Sequence, residues 1–212
     1  LYTTGPLFRY EHPQAGRYRQ FHQLDFEVFG EPSASIDAQI IQIFYAILRE
    51  LKFDHLIIEV NSIGYAQCRP YYKKMLSNYF RSRQNSLCAD CRRRLKTNVL
   101  RVLDCKEDKC QRVKAQAPQI IDHLCNDCKA HFRSLLEFLD EADIPYHLDP
   151  YLVRGLDYYT KTVFEIFSEK AMQSVETEEG EEVLSRNALA GGGRYDALVK
   201  LYGGKDTPAT GA

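Results

Sequence analysis

Apolar residues fall at Ile36, Ile40, Ile43, Phe44, Ile47, Leu48 and Leu51, one stripe at the helical period. The spacing predicts an amphipathic helix with Ser35 as its N-cap. Ahead of it, 7–11 and 18–29 read as two strands of a hairpin around the turn-forming run His12-Pro13-Gln14-Ala15-Gly16. On the second strand Phe21, Gln23, Asp25, Glu27 and Phe29 share one face, and Leu24, Phe26 and Val28 the other. A carboxylate set among aromatics needs a partner, so that face is unusual for a purely structural strand. A short apolar strand is predicted at 55–60, closed by a turn at 61–64. From about Pro70 the pattern changes: helices over 71–83 and 127–142 flank a basic, cysteine-rich stretch. Strand alternation returns at 146–148 and 162–167. The Glu-rich stretch 175–186 reads as a solvated loop, 189–191 as a strand, Gly192-Gly193 as a turn, and 195–202 as a helix ended by Gly203-Gly204. This order predicts an α+β fold, a mostly antiparallel sheet flanked by helices with a helical insertion, divided as 1–69, 70–142 and 143–212.

Composition refines this picture. The chain has 212 residues, 44% of them hydrophobic, enough for a buried core. Its net charge of −1 says little about partners, but 81–114 carries eleven basic residues against four acidic ones. A basic segment in an otherwise acidic body reads as a nucleic-acid footprint or as a solvated helix face. No apolar run reaches the roughly 18 residues of a membrane span, and no signal peptide is visible. The chain begins at Leu1 rather than Met and stops at Ala212 in a Pro/Gly-rich turn, as if both ends continued. Six of the seven cysteines lie between 88 and 128, and without a signal peptide reduced thiols or a metal site fit better than disulfides. The expected compartment is the cytoplasm. The pairs Cys88/Cys91 and Cys125/Cys128 could build a tetrahedral Cys₄ zinc site, with Cys105 or Cys110 able to replace one ligand. The alternative is a set of buried reduced thiols. Cys68 reads as core.

Three constellations carry candidate chemistry. Arg9, Arg17 and Arg19 surround the hairpin, and guanidinium groups grip phosphate oxygens through paired donors. The run LVRGLDYYT at 152–160 combines Arg154 with Asp157, Tyr158 and Tyr159. In ALAGGGRYD at 188–196, three glycines permit close backbone approach to a ligand.

Together with RYEHPQAGRYRQFHQLDFE at 9–27, these motifs resemble the histidyl-tRNA synthetase family, a branch of the class II aminoacyl-tRNA synthetases. The resemblance implies ATP-dependent activation of histidine and its transfer to tRNA(His), with ATP bound alongside Mg as its counter-ion. It implies that Arg9 holds the ATP α-phosphate, that Arg17 approaches the outer phosphates, and that Arg154 stabilises the α-phosphate from the opposite side. Arg9 and Arg154 are therefore the expected catalytic residues. It assigns Gln23 to the amino group of histidine, and Glu27 and Tyr159 to its imidazole. Tyr195 and the strand with Gly191 and Gly192 line the pocket. It also implies that the helical insertion reaches the tRNA acceptor arm, with Arg92, Arg93 and Arg94 as candidate contacts. Gln14 is a further candidate in the hairpin loop, where His12 stands in place of the family's usual Arg. The chain matches only the second of three class II motifs. The first and third, the anticodon-binding domain and the usual homodimer contact are expected outside it, so the 212 residues alone are expected to be weakly active or inactive. The rival reading is the non-catalytic, histidine-binding regulatory paralogue that partners ATP phosphoribosyltransferase. A third is a zinc-stabilised nucleic-acid module.

Overall fold

A computed structural model of the chain describes residues 1–10, 18–168, 172–176, 182–186 and 188–212. In chain order the elements are β1 (Tyr2–Phe8), β2 (Gln20–Phe29), α1 (Ala34–Glu50), β3 (Leu56–Ser62), α2 (Arg69–Arg81), α3 (Ala89–Thr97), α4 (Asp108–Lys114) and α5 (Asn126–Glu141). Then come β4 (His147–Leu148), β5 (Thr160–Ser168), β6 (Met172–Glu176), β7 (Glu182–Arg186), β8 (Ala190–Arg194), α6 (Leu198–Leu201) and β9 (Ala209–Gly211). Short 3₁₀ turns lie at Gln84–Ser86, Val99–Val102 and Ile120–His123. Seven strands form one sheet in the order β1-β2-β9-β8-β5-β3-β4. Its pairs are antiparallel except β3 with β4. The architecture is the expected α+β one, with helices interrupting the run of strands.

Strand register sorts side chains between the two faces. Phe26, Val28, Ile58, Val60, Phe164 and Ile166 point to one side and pack against Ile40, Ile41, Phe44 and Leu48 of α1 and Phe132, Leu135 and Leu139 of α5. Val163, Tyr159 and Tyr195 join a second core that runs through Ile63 into Tyr72, Leu76, Phe80, Leu95 and Val102 of the inserted helices. One face of the sheet is thus sealed by α1 and α5, and the other is left for chemistry.

The cap of helix α1 is Ser33, two residues before the expected Ser35. The hydroxyl of Ser33 accepts the Ser35 N–H at 3.2 Å. The inward side of α1 is Ala34, Asp37, Ala38, Ile40, Ile41, Phe44 and Leu48, so Ile40, Phe44 and Leu48 of the expected stripe face the core while its Ile43 and Leu51 face solvent. Apolar residues line more than one side of this helix, so periodicity alone identifies the inward side only in part.

The buried Asp37 is matched by the fully buried Arg194 of β8. Arg194 donates Nη2 to Asp37 Oδ1 at 2.7 Å and Nε to Oδ2 at 3.2 Å, and also reaches the Glu31 and Ser33 carbonyls. Thr162 of β5 and His131 of α5 bond to the same carboxylate at 2.6 and 2.8 Å. Burial opposes the charge on Asp37. The bonds from His131, Arg194 and Thr162 outweigh it, and its carboxyl lies below the ordinary value. This network pins α1, α5, β5 and β8 together.

Three local expectations are corrected. Gly192 and Gly193 form no turn; they are paired within β8, Gly193 with both Val163 and Gly211. The Glu-rich stretch holds β6 and β7, an antiparallel hairpin, because backbone pairing tolerates acidic residues when strands are short and two-stranded. The helix expected over 195–202 shrinks to Leu198–Leu201. Tyr195 and Asp196 instead continue from β8, the Tyr195 N–H donating to the Ala209 carbonyl and the Asp196 N–H to Thr160 Oγ1.

Candidate active site

The open face of the sheet gathers most of the candidates for histidine and ATP contact, Glu27, Gln23, Tyr159, Tyr195, Gly191, Arg154 and Arg9. Glu27 pairs with Gly211, Gly211 with Gly193, and Gly191 with Glu165. Directly opposed residues share a face, and alternate residues along a strand return to it. Glu27, Glu165 and the missing side chains of Gly191, Gly193 and Gly211 therefore lie on one surface, with Gln23 and Phe21 further along β2.

At one end stands Glu27, whose carboxylate accepts the Tyr195 hydroxyl. Tyr195 is packed edge-on to both Tyr158 and Tyr159, with ring centroids 5.9 and 6.4 Å away, and those two rings lie 4.7 Å apart. This is a tyrosine-walled recess with one carboxylate in it. Burial, chiefly, lifts the Glu27 carboxyl above the ordinary range; the Tyr195 bond acts against that lift. Burial likewise pushes the Tyr158 and Tyr195 hydroxyls upward, so both stay protonated donors at neutral pH.

Arg154 lies over β8. Its Nη1 bonds to Glu165 Oε1 at 2.5 Å and its Nη2 to the Gly191 carbonyl at 3.1 Å, with its guanidinium 5.8 Å from the Tyr159 ring centre. Any Cβ at position 191 would strike that guanidinium, and any at 211 would strike the Glu27 carboxylate. The glycines let charged side chains lie flat on the sheet. Gly192 is different: its absent side chain would meet the Gly211 carbonyl and Ala212, so it serves strand packing. Arg154 Nε is buried with no hydrogen-bond partner among the described residues. Burial raises the Glu165 carboxyl more than its Arg154 partner lowers it.

Arg9 continues the hairpin beyond β1, its N–H donating to the Arg19 carbonyl at 2.8 Å. Its Nε donates to the Tyr18 carbonyl at 2.7 Å, and its guanidinium lies 4.5 Å from the Phe21 ring centre, on the same face as Glu27. Gln23 is exposed and bonds to Asp25, so it does not join the tyrosine recess. Arg17, Gln14 and His12 lie outside the described residues.

Sequence reading passed over several positioning residues. Glu165 sits in the apolar run VFEIF, and Asp37 on the buried side of α1; a charge in such a setting implies a partner. Arg69 donates to the carbonyls of Ile63, Gly64 and Tyr159 at 3.1, 2.9 and 2.6 Å, and Asn61 to that of Leu152 at 2.9 Å. These bonds anchor both ends of the 152–160 loop, and Asn98 of the insertion reaches Asp157 in its middle.

The cysteines do not combine as expected. Cys88 and Cys91 cluster with Cys105 and Cys110, whereas Cys125 and Cys128 cluster with Cys68. The expected Cys88/Cys91/Cys125/Cys128 site is thereby corrected, because the C-x-x-C pairs begin two different helices, α3 and α5, which join different clusters. Either group could hold a metal ion. All seven thiols are free, and Cys68 is buried, though not isolated. On α3, Arg92 and Arg93 are exposed, Arg93 pairing with Asp90 at 2.8 Å, while Arg94 is bound to the Arg101 carbonyl at 3.0 Å.

Among the described residues, no helix is long and apolar enough to cross a membrane. The whole chain, residues 1–212, matches the family described as histidyl-tRNA synthetase. It is 49% identical over 211 residues to the histidine–tRNA ligase of Thermodesulfovibrio yellowstonii, covering all of this chain and 47% of that protein. It superposes on apo Staphylococcus aureus histidyl-tRNA synthetase with a TM-score of 0.69 and 33% identity, across 99% of this chain and 47% of that one. A Bacillus halodurans protein described as an ATP phosphoribosyltransferase regulatory subunit/histidyl-tRNA synthetase shares the fold, with a TM-score of 0.60 and 20% identity over 98% of this chain and 54% of its own. The chain spans about half the length of the curated relatives it matches.

Proposed function

The chain belongs to the histidyl-tRNA synthetase family, and from that premise we propose that it is the part of an aminoacyl-tRNA ligase in which histidine and ATP meet. The complete reaction is assigned to the whole protein, since the chain spans about half its relatives' length. The observation that carries the proposal is one open sheet face bearing a tyrosine-walled carboxylate on β2 and, two strands on over β8, a fixed guanidinium with an unpartnered buried donor.

In this reading Glu27 takes an imidazole N–H of histidine, and Tyr159 and Tyr195 close the recess around the ring. A carboxylate beside hydroxyl donors distinguishes imidazole from an isosteric apolar ring, since an analogue without the N–H would desolvate the half-buried Glu27 further and give it only the Tyr195 hydroxyl as a donor. Gln23 holds the amino group of histidine only if it leaves Asp25. ATP lies along the face with Mg as its counter-ion. Arg9 and Arg154 flank its α-phosphate, and Arg17 reaches the outer phosphates. The histidine carboxylate oxygen attacks the α-phosphorus, the bond to the bridging oxygen breaks, and pyrophosphate leaves. Charge gathers on the phosphoryl oxygens, where Arg154, oriented by Glu165 and the Gly191 carbonyl, stabilises it. A hydroxyl of the terminal adenosine of tRNA(His) then attacks the histidyl carbonyl, and AMP departs. Positioning and charge stabilisation suffice, with no protein nucleophile. The cytoplasm, the homodimer and the three-part division 1–69, 70–142 and 143–212 belong to the same proposal.

The test is histidine-dependent pyrophosphate exchange by the full-length protein. Arg154→His is expected to lower kcat by about 10²–10³-fold, the effect of removing one transition-state donor, with histidine affinity nearly intact. Glu27→Ala is expected to weaken histidine binding roughly ten- to a hundredfold, the loss of one charged hydrogen bond. Normal turnover by the first variant, or unchanged affinity in the second, overturns the respective assignment. A wild-type protein that binds histidine yet charges no tRNA favours the regulatory paralogue. The 212-residue chain alone is expected to exchange pyrophosphate far more slowly than the full-length protein, and equal rates refute that.

A further inference from the structure

We propose that Cys88, Cys91, Cys105 and Cys110 hold a structural zinc ion that knits the inserted helices together. Their four sulfurs all lie within 4.8 Å of one another, and the Cys88 and Cys105 sulfurs are 3.8 Å apart. Two sulfurs each about 2.3 Å from a tetrahedral ion lie about 3.8 Å apart, so the cluster already has the size of a ZnS₄ shell. That spacing is too wide for a disulfide, whose sulfurs lie about 2.05 Å apart. It is also tight enough to enclose a single ion rather than an iron–sulfur cluster.

The backbone is arranged as a thiolate site requires. The Cys91 N–H points at Cys88 Sγ at 3.3 Å, and the Cys88 N–H at Cys110 Sγ at 3.2 Å. Such N–H groups orient thiolate ligands and partly neutralise them. All four cysteines are buried, with relative exposures from 0% to 8%, which leaves no open coordination position for a substrate; the site is structural. Four thiolates on one divalent ion leave two negative charges, and Arg92, Lys106 and Lys109 lie next to the ligands in sequence.

The fold supplies the need. The four ligands come from the first turn of α3 and its cap, from the loop after the Val99–Val102 turn, and from α4. The helices have nine and seven residues and the turn four. Helical segments shorter than about 12 residues are marginal alone, and a metal cross-link supplies what so small an apolar core lacks. The second group offers only three sulfurs, Cys68, Cys125 and Cys128, among the described residues. It serves as an internal control.

Metal content of the full-length protein, purified without chelator, tests this. One zinc per chain is expected in the first site. Cys105→Ser and Cys110→Ser should each lose one equivalent, and Cys125→Ser should keep it. Reloading chelated wild-type protein with zinc should release up to four protons, one per thiol, and restore helicity lost on chelation. Should the serine variants fail to fold, cobalt(II) substituted into wild-type protein still reports the site, through thiolate-to-cobalt absorption and the visible bands of a tetrahedral ion. Zinc unchanged in Cys110→Ser but lost in Cys125→Ser, an octahedral cobalt spectrum, or a wild-type chain that neither carries nor takes up zinc each overturns the proposal.

Discussion

In the proposed histidine recess, Glu27 is a carboxylate whose burial opposes its charge. Its raised carboxyl means the folded chain holds that proton more tightly than the unfolded chain. Stability therefore falls as pH rises from the ordinary value of 4.5 through the raised one, and the penalty persists at neutral pH. Glu27→Gln keeps an acceptor for the Tyr195 hydroxyl but carries no charge to desolvate. It is expected to raise Tm slightly at pH 7 while weakening histidine binding, and a lower Tm would refute this account. Glu27 was legible in the sequence as a carboxylate on an aromatic strand face. Glu165 carried the same signal in VFEIF and was missed, because what it holds, Arg154, comes from eleven residues away on a loop.

At the scale of elements, the buried ion pair decides how α1 meets the sheet. Asp37 and Arg194 are 1% and 0% exposed, so each compensates a charge that burial would otherwise make costly. Removing one partner is expected to cost about 3–5 kcal/mol. Asp37→Asn tests this by denaturant unfolding, where a loss under about 1 kcal/mol would show that the network contributes little. The pH dependence has a definite sign. The carboxyl is depressed on folding, so its contribution is complete above the ordinary value of 3.8 and is lost as pH falls toward the lower folded value. The variant's stability should be flatter across that acid window. Periodicity located this helix and its length, yet it misassigned Ile43 and Leu51 as inward, because only the sheet's position says which apolar stripe is covered.

Across the whole molecule, the inserted helices and the candidate active face share one core, from Leu95 and Val102 to Tyr159 and Tyr195. The insertion is fastened to the 152–160 loop by Asn98 and Asp157, so a basic surface on α3 is held in register with the sheet face. Under the proposed function, exposed Arg92 and Arg93, the latter paired with Asp90, are the α3 side chains left to meet phosphates, whereas Arg94 is occupied by a backbone carbonyl. Reversing both exposed charges, Arg92→Glu with Arg93→Glu, is expected to weaken tRNA binding and reduce its salt dependence by about one to two units of log K per log salt. Histidine-dependent pyrophosphate exchange without tRNA should be unchanged. Unaltered tRNA affinity would remove α3 from the interface.

What the sequence determined by itself is what local chemistry encodes. Apolar period places helices and strands to within a few residues, as at α2, α5 and β5, and the motifs around Arg9, Arg154 and Gly191 carry the family resemblance. What only the tertiary structure decided depends on partners distant in the chain. The three glycines became the middle of a strand because β5 and β9 close on either side of them, and the cysteine pairs separated because α3 and α5 join different clusters. Arg194 and Asp37, 157 residues apart, found each other only in the folded chain. Periodicity and motif are properties of neighbours in sequence, whereas pairing, burial and ligand sets are properties of neighbours in space.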